Sequence, residues 1–166
     1  ILLTNRGSAV GSRPGEYNIS VCEGLGTIDA SARPGQAPDL FSCAQRGLLE
    51  ELGLKEAEDF SPEDIKLLSF GVDTWYSQWG LLGLVKVQKN AQDILNYRKA
   101  GVKDRLENAQ IHLIPFELNE IVEFVLAHQP WTPGGLACLY HTLIHEFGRT
   151  RVTTAIVNHI DYDQQK

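Results

Sequence analysis

The sequence predicts an α+β fold. Short apolar runs with strand character dominate its first half, segments with helical periodicity dominate its second half, and Gly- and Pro-containing stretches separate them. Strands first and helices mostly late imply helices layered against a sheet.

Residues 1–4, Ile-Leu-Leu-Thr, read as a strand, followed by a turn through Gly7 and Gly11. Residues 17–22, Tyr-Asn-Ile-Ser-Val-Cys, alternate as a second strand does. Between positions 24 and 38, repeated Gly and Pro predict an irregular loop. The strongest helix lies over 39–52. Asp39 follows a proline and can cap it, Phe41, Ala44, Leu48 and Leu52 recur at helical spacing, and Gly53 stands where a helix stops. Strands are expected over 65–72 and within 75–87, with 78–85 buried. A helix over 91–99, a short strand over 111–115 and helices over 119–128, 133–147 and 150–160 complete the reading, the 133–147 helix being opened by Thr132-Pro133. One domain over 1–166 is expected, with a core over about 1–130 and a helical part over about 131–166. The chain starts inside a strand and lacks an initiator Met, so it reads as a fragment of a longer protein.

Composition narrows the function classes. The chain has 166 residues, 43% hydrophobic and 22% charged, enough for a sizeable core. A formal net charge of −6 argues against a nucleic-acid partner, because phosphate backbones demand clustered Lys and Arg. Cys22, Cys43 and Cys138 match no zinc or redox spacing and read as small buried residues of a reducing cytoplasm. No apolar stretch is long enough to span a bilayer, and no membrane partner is expected.

The chemistry-bearing stretch is Arg46-Gly47-Leu48-Leu49-Glu50-Glu51-Leu52-Gly53-Leu54. At about 100° per residue, Arg46, Gly47, Glu50 and Glu51 share one side of the helix, opposite Leu48 and Leu52. Two adjacent carboxylates on a wet face repel each other unless a hard cation lies between them. Mg²⁺ favours such oxygens and keeps coordination positions open for phosphate. The alternative is an ordinary solvated face, with Arg46 paired to Glu50 at i, i+4.

From Arg46 to Leu54 the stretch resembles the second half of the Nudix signature, Arg-Glu-U-x-Glu-Glu-x-Gly-U with U apolar. One specified position departs: Gly47 replaces a glutamate. Residues 15–24, Phe70-Gly71-Val72-Asp73 and Ile114-Pro115-Phe116 also fall in that family's order, so the resemblance extends from Ile1 to about Phe147. The first half of the signature is poor. Its glycine falls on Ala32, with Gly35 displaced, and its glutamate on Pro38, beside Asp39.

The resemblance implies an α/β/α sandwich with a mixed sheet and additional C-terminal helices. It also implies Mg²⁺ or Mn²⁺ held by Glu50 and Glu51, with Glu23 as an extra carboxylate, Glu51 as ligand or water activator, and Arg46 orienting a carboxylate. Gly47 cannot coordinate through a side chain, and glycine within a helix costs about 1 kcal/mol relative to alanine.

Other candidates are weaker. Trp75 and Trp79 are expected on one face of an extended segment, where two indoles can stack a nucleobase or form a core or subunit contact. Arg6 and Arg13 flank the early turn and can touch a phosphate. His141 and His145 have a zinc-compatible spacing but no third ligand, and His112 is a candidate late-loop base.

Two functions follow from the resemblance. One is a metal-dependent hydrolase of a nucleoside diphosphate linked to another moiety. The other is a degenerate domain that binds such a ligand without cleaving it, as a sensor. A third reading is a protein-interaction domain, which a subunit contact through the Trp75/Trp79 face would support; a homodimer is among the partners considered. Glu51→Gln is expected to cut hydrolysis and leave stability almost unchanged, since Glu51 is placed on an exposed face.

Overall fold

In a computed structural model the described residues are 1–30, 36–103 and 108–163. The fold is α+β. Its elements in chain order are β1 (Leu2–Arg6), β2 (Tyr17–Ile19), α1 (Leu40–Leu52), β3 (Ile65–Asp73), β4 (Gln78–Val85), α2 (Ala91–Gly101), β5 (Asn108–Leu113), α3 (Leu118–Ala127), α4 (Pro133–Phe147) and α5 (Arg149–Asp163). Short 3-10 turns cover Thr27–Asp29 and Pro62–Asp64.

Strand order β2-β1-β5 makes a three-stranded sheet, and β3 pairs with β4. In the first sheet Leu3 faces Ile19 on one side and His112 on the other. Every ladder among the described strands is antiparallel, so the mixed sheet expected from sequence is not formed between them. The parallel component between distant segments is one bridge, Tyr17 to Trp131. There Tyr17 N–H donates to Pro130 O and Thr132 N–H donates to Tyr17 O.

The pleat of β1 distributes the core. Leu3 is buried in a cluster with Ile121, Val122, Leu139 and Val152, from α3, α4 and α5. Its neighbour Leu2 packs against the other cluster, which contains Leu48, Leu52, Leu54, Phe60, Ile65 and Ile94. Successive strand residues point to opposite faces, so β1 carries helices on both sides. At the β2–α4 junction Thr132 Oγ1 donates to Asn18 Oδ1 at 2.7 Å. A Cβ on Gly135 would lie 2.4 Å from that oxygen, so the first turn of α4 requires glycine for this approach.

Helix α1 starts and stops where its sequence indicates. The Asp39 carboxylate accepts from Ser42 N–H at 2.9 Å, and Gly53 takes the left-handed conformation at φ 74° that closes the helix. The faces differ from expectation. Phe41 is 40% exposed, whereas Cys43, Gly47, Leu48, Glu51 and Leu52 are buried. Two adjacent stripes are therefore covered: Ala44-Leu48-Leu52 by the core, and Cys43-Gly47-Glu51 by the chain leaving β2. Strand β2 ends at Ile19 rather than continuing to Cys22, which frees residues 20–24 to cross this second stripe.

Candidate functional site

Arg46 is the centre of the motif as folded. Its Nε donates to Asp29 Oδ1 at 2.8 Å and its Nη2 to Asp29 Oδ2 at 2.9 Å, a two-pronged pair. Nη2 also donates to Gly24 O at 2.8 Å, and Nη1 lies 2.9 Å from Glu23 Oε1 and 3.8 Å from Glu50 Oε2. Three carboxylates and a carbonyl thus surround one guanidinium. The hydrogen bond from Arg46, reinforced by that from Gly26 N–H, lowers the Asp29 pKa to about 2. The same Asp29 bond raises the Arg46 pKa, so the pair stays ionised across the physiological range. Burial raises the adjacent Cys43 thiol to about 11, which leaves it protonated and unreactive near neutrality.

Glu50 and Glu51 are neighbours in sequence with opposite environments. Glu50 lines a cleft of about 440 Å³ with Leu49, Lys55, Tyr97 and Lys103, and it takes a 2.6 Å contact from Lys103 Nζ. Glu51 is 1% exposed and turned inward, where its Oε1 accepts from Cys22 N–H at 2.9 Å. The exposed position expected for Glu51 is therefore incorrect. It lies on the stripe that residues 20–24 cover, and its carboxylate fastens that crossing to α1.

Gly47 has a direct steric cause. A Cβ there would meet Val21 Cγ1 at 2.8 Å and Glu23 Cβ at 2.9 Å, closer than real side chains tolerate. The residue that leaves the motif one carboxylate short is thus the residue that lets the crossing chain reach the helix. The same approach brings Glu23 to Arg46.

As arranged, these groups do not fit a divalent-cation site. The space between Glu23, Asp29 and Glu50 is taken by the Arg46 guanidinium, and one Glu51 oxygen is engaged by a backbone amide. Among the described residues no group of three or more His, Cys, Asp or Glu side chains is set out to hold a metal ion. The signature glycine position at Ala32, with Gly35, lies outside the described residues.

The other sequence candidates separate into distinct places. Arg13 and Trp75 come together, lining a second cleft of about 430 Å³ with Asp73, Tyr76 and Pro133. Arg13 pairs with Asp73 at 2.9 Å and with Glu16 at 3.5 Å, and it stacks over the Tyr76 ring at 4.7 Å. Trp75 does not share an extended face with Trp79, because residues 74–77 form the turn joining β3 to β4. Trp79 sits on β4 opposite Val72, with its ring tilted against Phe70. Arg6 points into its own loop, donating from Nε to Ser12 O at 3.0 Å. His112 contacts Asn5 Oδ1, and its pKa is lowered by burial and then by His128. Of the cysteines, Cys43 and Cys138 are buried as expected and Cys22 is exposed.

Asp29 is the site residue that the sequence reading missed. Its one local signal is its place three residues after Gly26, whose N–H it accepts at 2.8 Å in a side-chain-closed turn. Comparison of the chain with family models, curated proteins and solved structures returns no match. No helix among the described residues is long and apolar enough to cross a membrane.

Proposed function

We propose that this chain is a Nudix-type domain that binds a nucleoside diphosphate derivative without hydrolysing it, the motif helix serving as scaffold. The observation that supports this reading is the Arg46 cluster, in which the guanidinium fills the space between Glu23, Asp29 and Glu50 and so engages two of the carboxylates, Glu23 and Glu50, that the resemblance would make metal ligands. The steric block at Gly47 acts in the same direction, because it excludes a third side-chain carboxylate from that stripe. The ligand is assigned to the cleft holding Arg13 and Trp75. Its volume of about 430 Å³ suits a small molecule. Trp75 is 85% exposed, so its indole face is open to stack on a base, and Arg13, paired with Asp73 and Glu16, would exchange part of that pairing for a phosphate.

The test is a binding and turnover panel using ADP-ribose, a nucleotide sugar and a dinucleoside polyphosphate, each with Mg²⁺ or Mn²⁺. The expected result is a ligand-dependent rise in melting temperature that Trp75→Ala and Arg13→Ala weaken, with no release of nucleoside monophosphate. The hydrolase reading keeps one supporting observation, the position of Glu50 on a cleft of its own. Metal-dependent cleavage lost in Glu50→Gln or Glu51→Gln would establish that reading in place of ours.

A further inference from the structure

Two turns distant in sequence meet at the cleft of Arg13 and Trp75, and one carboxylate joins them. Arg13 comes from the loop between β1 and β2, and Trp75 from the turn between β3 and β4. Asp73 ends β3 and uses its two oxygens differently. Oδ1 accepts from Trp75 N–H at 3.0 Å and from Tyr76 N–H at 3.3 Å, closing the turn that presents the indole. Oδ2 accepts from Arg13 Nη2 at 2.9 Å. Burial pushes the Asp73 pKa up, but the bond from Arg13 and those from the Tyr76 and Trp75 amides outweigh it, so the carboxylate is charged near neutrality. Arg13 has two further holds, the Tyr76 ring at 4.7 Å and Glu16 at 3.5 Å.

We propose that Asp73 is the positioning residue of this site: one oxygen sets the Trp75 turn, and the other holds Arg13 in a pairing that a ligand phosphate must displace. This rests on the reading of the cleft as the ligand site. The two roles have separate chemical requirements. The turn needs an oxygen acceptor, which an asparagine side chain also supplies. The hold on Arg13 needs negative charge. A phosphate approaching Arg13 meets two carboxylates, Asp73 and Glu16, beside one cation. Removing the Asp73 charge both reduces repulsion of the phosphate and frees an edge of the guanidinium. Arg13 is not left unheld by that change, because Glu16 and the Tyr76 ring remain. Asp73 therefore weakens the grip on the phosphate part of the ligand while it supports the grip on the base.

Calorimetric titration of the whole chain with ADP-ribose, which carries both a base and a diphosphate, tests this. Asp73→Asn should bind ADP-ribose about fivefold more tightly than wild type. The gain should vanish when Arg13→Ala is added. Trp75→Ala should cost the same factor in Asp73→Asn as in wild type, because the turn is kept, and a smaller factor in Asp73→Ala, where the turn acceptor is already lost. A merely structural Asp73 would not tighten binding in any variant. The asparagine variant decides by itself, so the test survives an alanine variant that fails to fold. Binding that Arg13→Ala and Trp75→Ala weaken, but that Asp73→Asn leaves unchanged or weakens, would overturn the proposal and leave the reading of the cleft standing. A tightening that persists after Arg13→Ala is added would overturn it too. Wild type and Asp73→Asn that both leave ADP-ribose unbound would overturn the proposal together with its assignment of the cleft.

Discussion

The Arg46 cluster and the β3–β4 hairpin are opposite solutions to burying a surface. Around Arg46 the polar groups are satisfied from within the chain: Asp29, Glu23, Gly24 O and Glu50 converge on one cation, and Glu51 takes the Cys22 amide. On the hairpin, large apolar groups face outward. Carboxylates that look available for chemistry in the sequence are thus engaged in holding residues 20–29 onto α1. Trp75 and Trp79 are on the surface, whereas Trp131 is buried in the core. Residue type alone did not distinguish these cases; the path of the chain between β2 and α1 decided the first, and the 74–77 turn the second.

The comparison is broken most strongly at Glu51. Glu51→Ala removes a buried acceptor and strands the Cys22 amide, so it should cost about 1–3 kcal/mol in chemical denaturation. A change within about 0.5 kcal/mol would mean the carboxylate faces solvent, as the sequence reading had it. Gly47→Ala comes next. Forcing a Cβ against Val21 and Glu23 should cost about 1–3 kcal/mol, offset by up to about 1 kcal/mol of helix propensity. A stabilised variant would show that residues 20–24 yield easily and that the helix could have accepted a glutamate.

Acid sharpens the picture of Asp29. Its folded pKa of about 2 lies below the ordinary aspartate range, so its stabilisation is complete above the unfolded value of about 4 and is lost as pH falls through 2. Asp39, Asp59 and Asp73 are lowered too, so the informative quantity is the difference between proteins. Melting temperature should fall from pH 4 to pH 2 more steeply in wild type than in Asp29→Asn, and parallel curves would remove Asp29 from the lock. The smallest effect is expected at Phe41, 40% exposed on the first turn of α1. Phe41→Ser should change unfolding free energy by no more than about 0.5 kcal/mol.

Local signals carried most of the fold. The bounds 133–147 match α4, and Asp39, Gly53 and Thr132 act as the caps and stop that their residue types suggest. What escaped was set by contacts distant in sequence. Helical spacing places Gly47 and Glu51 on a common stripe but does not say that Val21 and Glu23 cover it. Asp29 lies in a loop without periodicity, 17 residues from the arginine that binds it. Trp75 and Trp79 alternate correctly for a strand, but residues 74–77 turn, and Ser77 takes a positive φ of 53° there. The motif was legible as a motif. Its electrostatic partner was not, because an arginine near several carboxylates can orient one for a metal or replace the metal, and only the folded path decides.

The proposed reading is that the Arg46 guanidinium, held between Glu23, Asp29 and Glu50, takes those carboxylates out of metal binding, leaving a domain that binds a nucleoside diphosphate derivative without cleaving it. The most direct measurement is phosphorus NMR of ADP-ribose, a nucleotide sugar and a dinucleoside polyphosphate in turn, each incubated with wild-type protein and Mg²⁺ or Mn²⁺. The account predicts shifted or broadened diphosphate resonances for the bound compound and no monophosphate signal over long incubation. Monophosphate resonances that grow with wild-type protein and are absent with Glu51→Gln would contradict it.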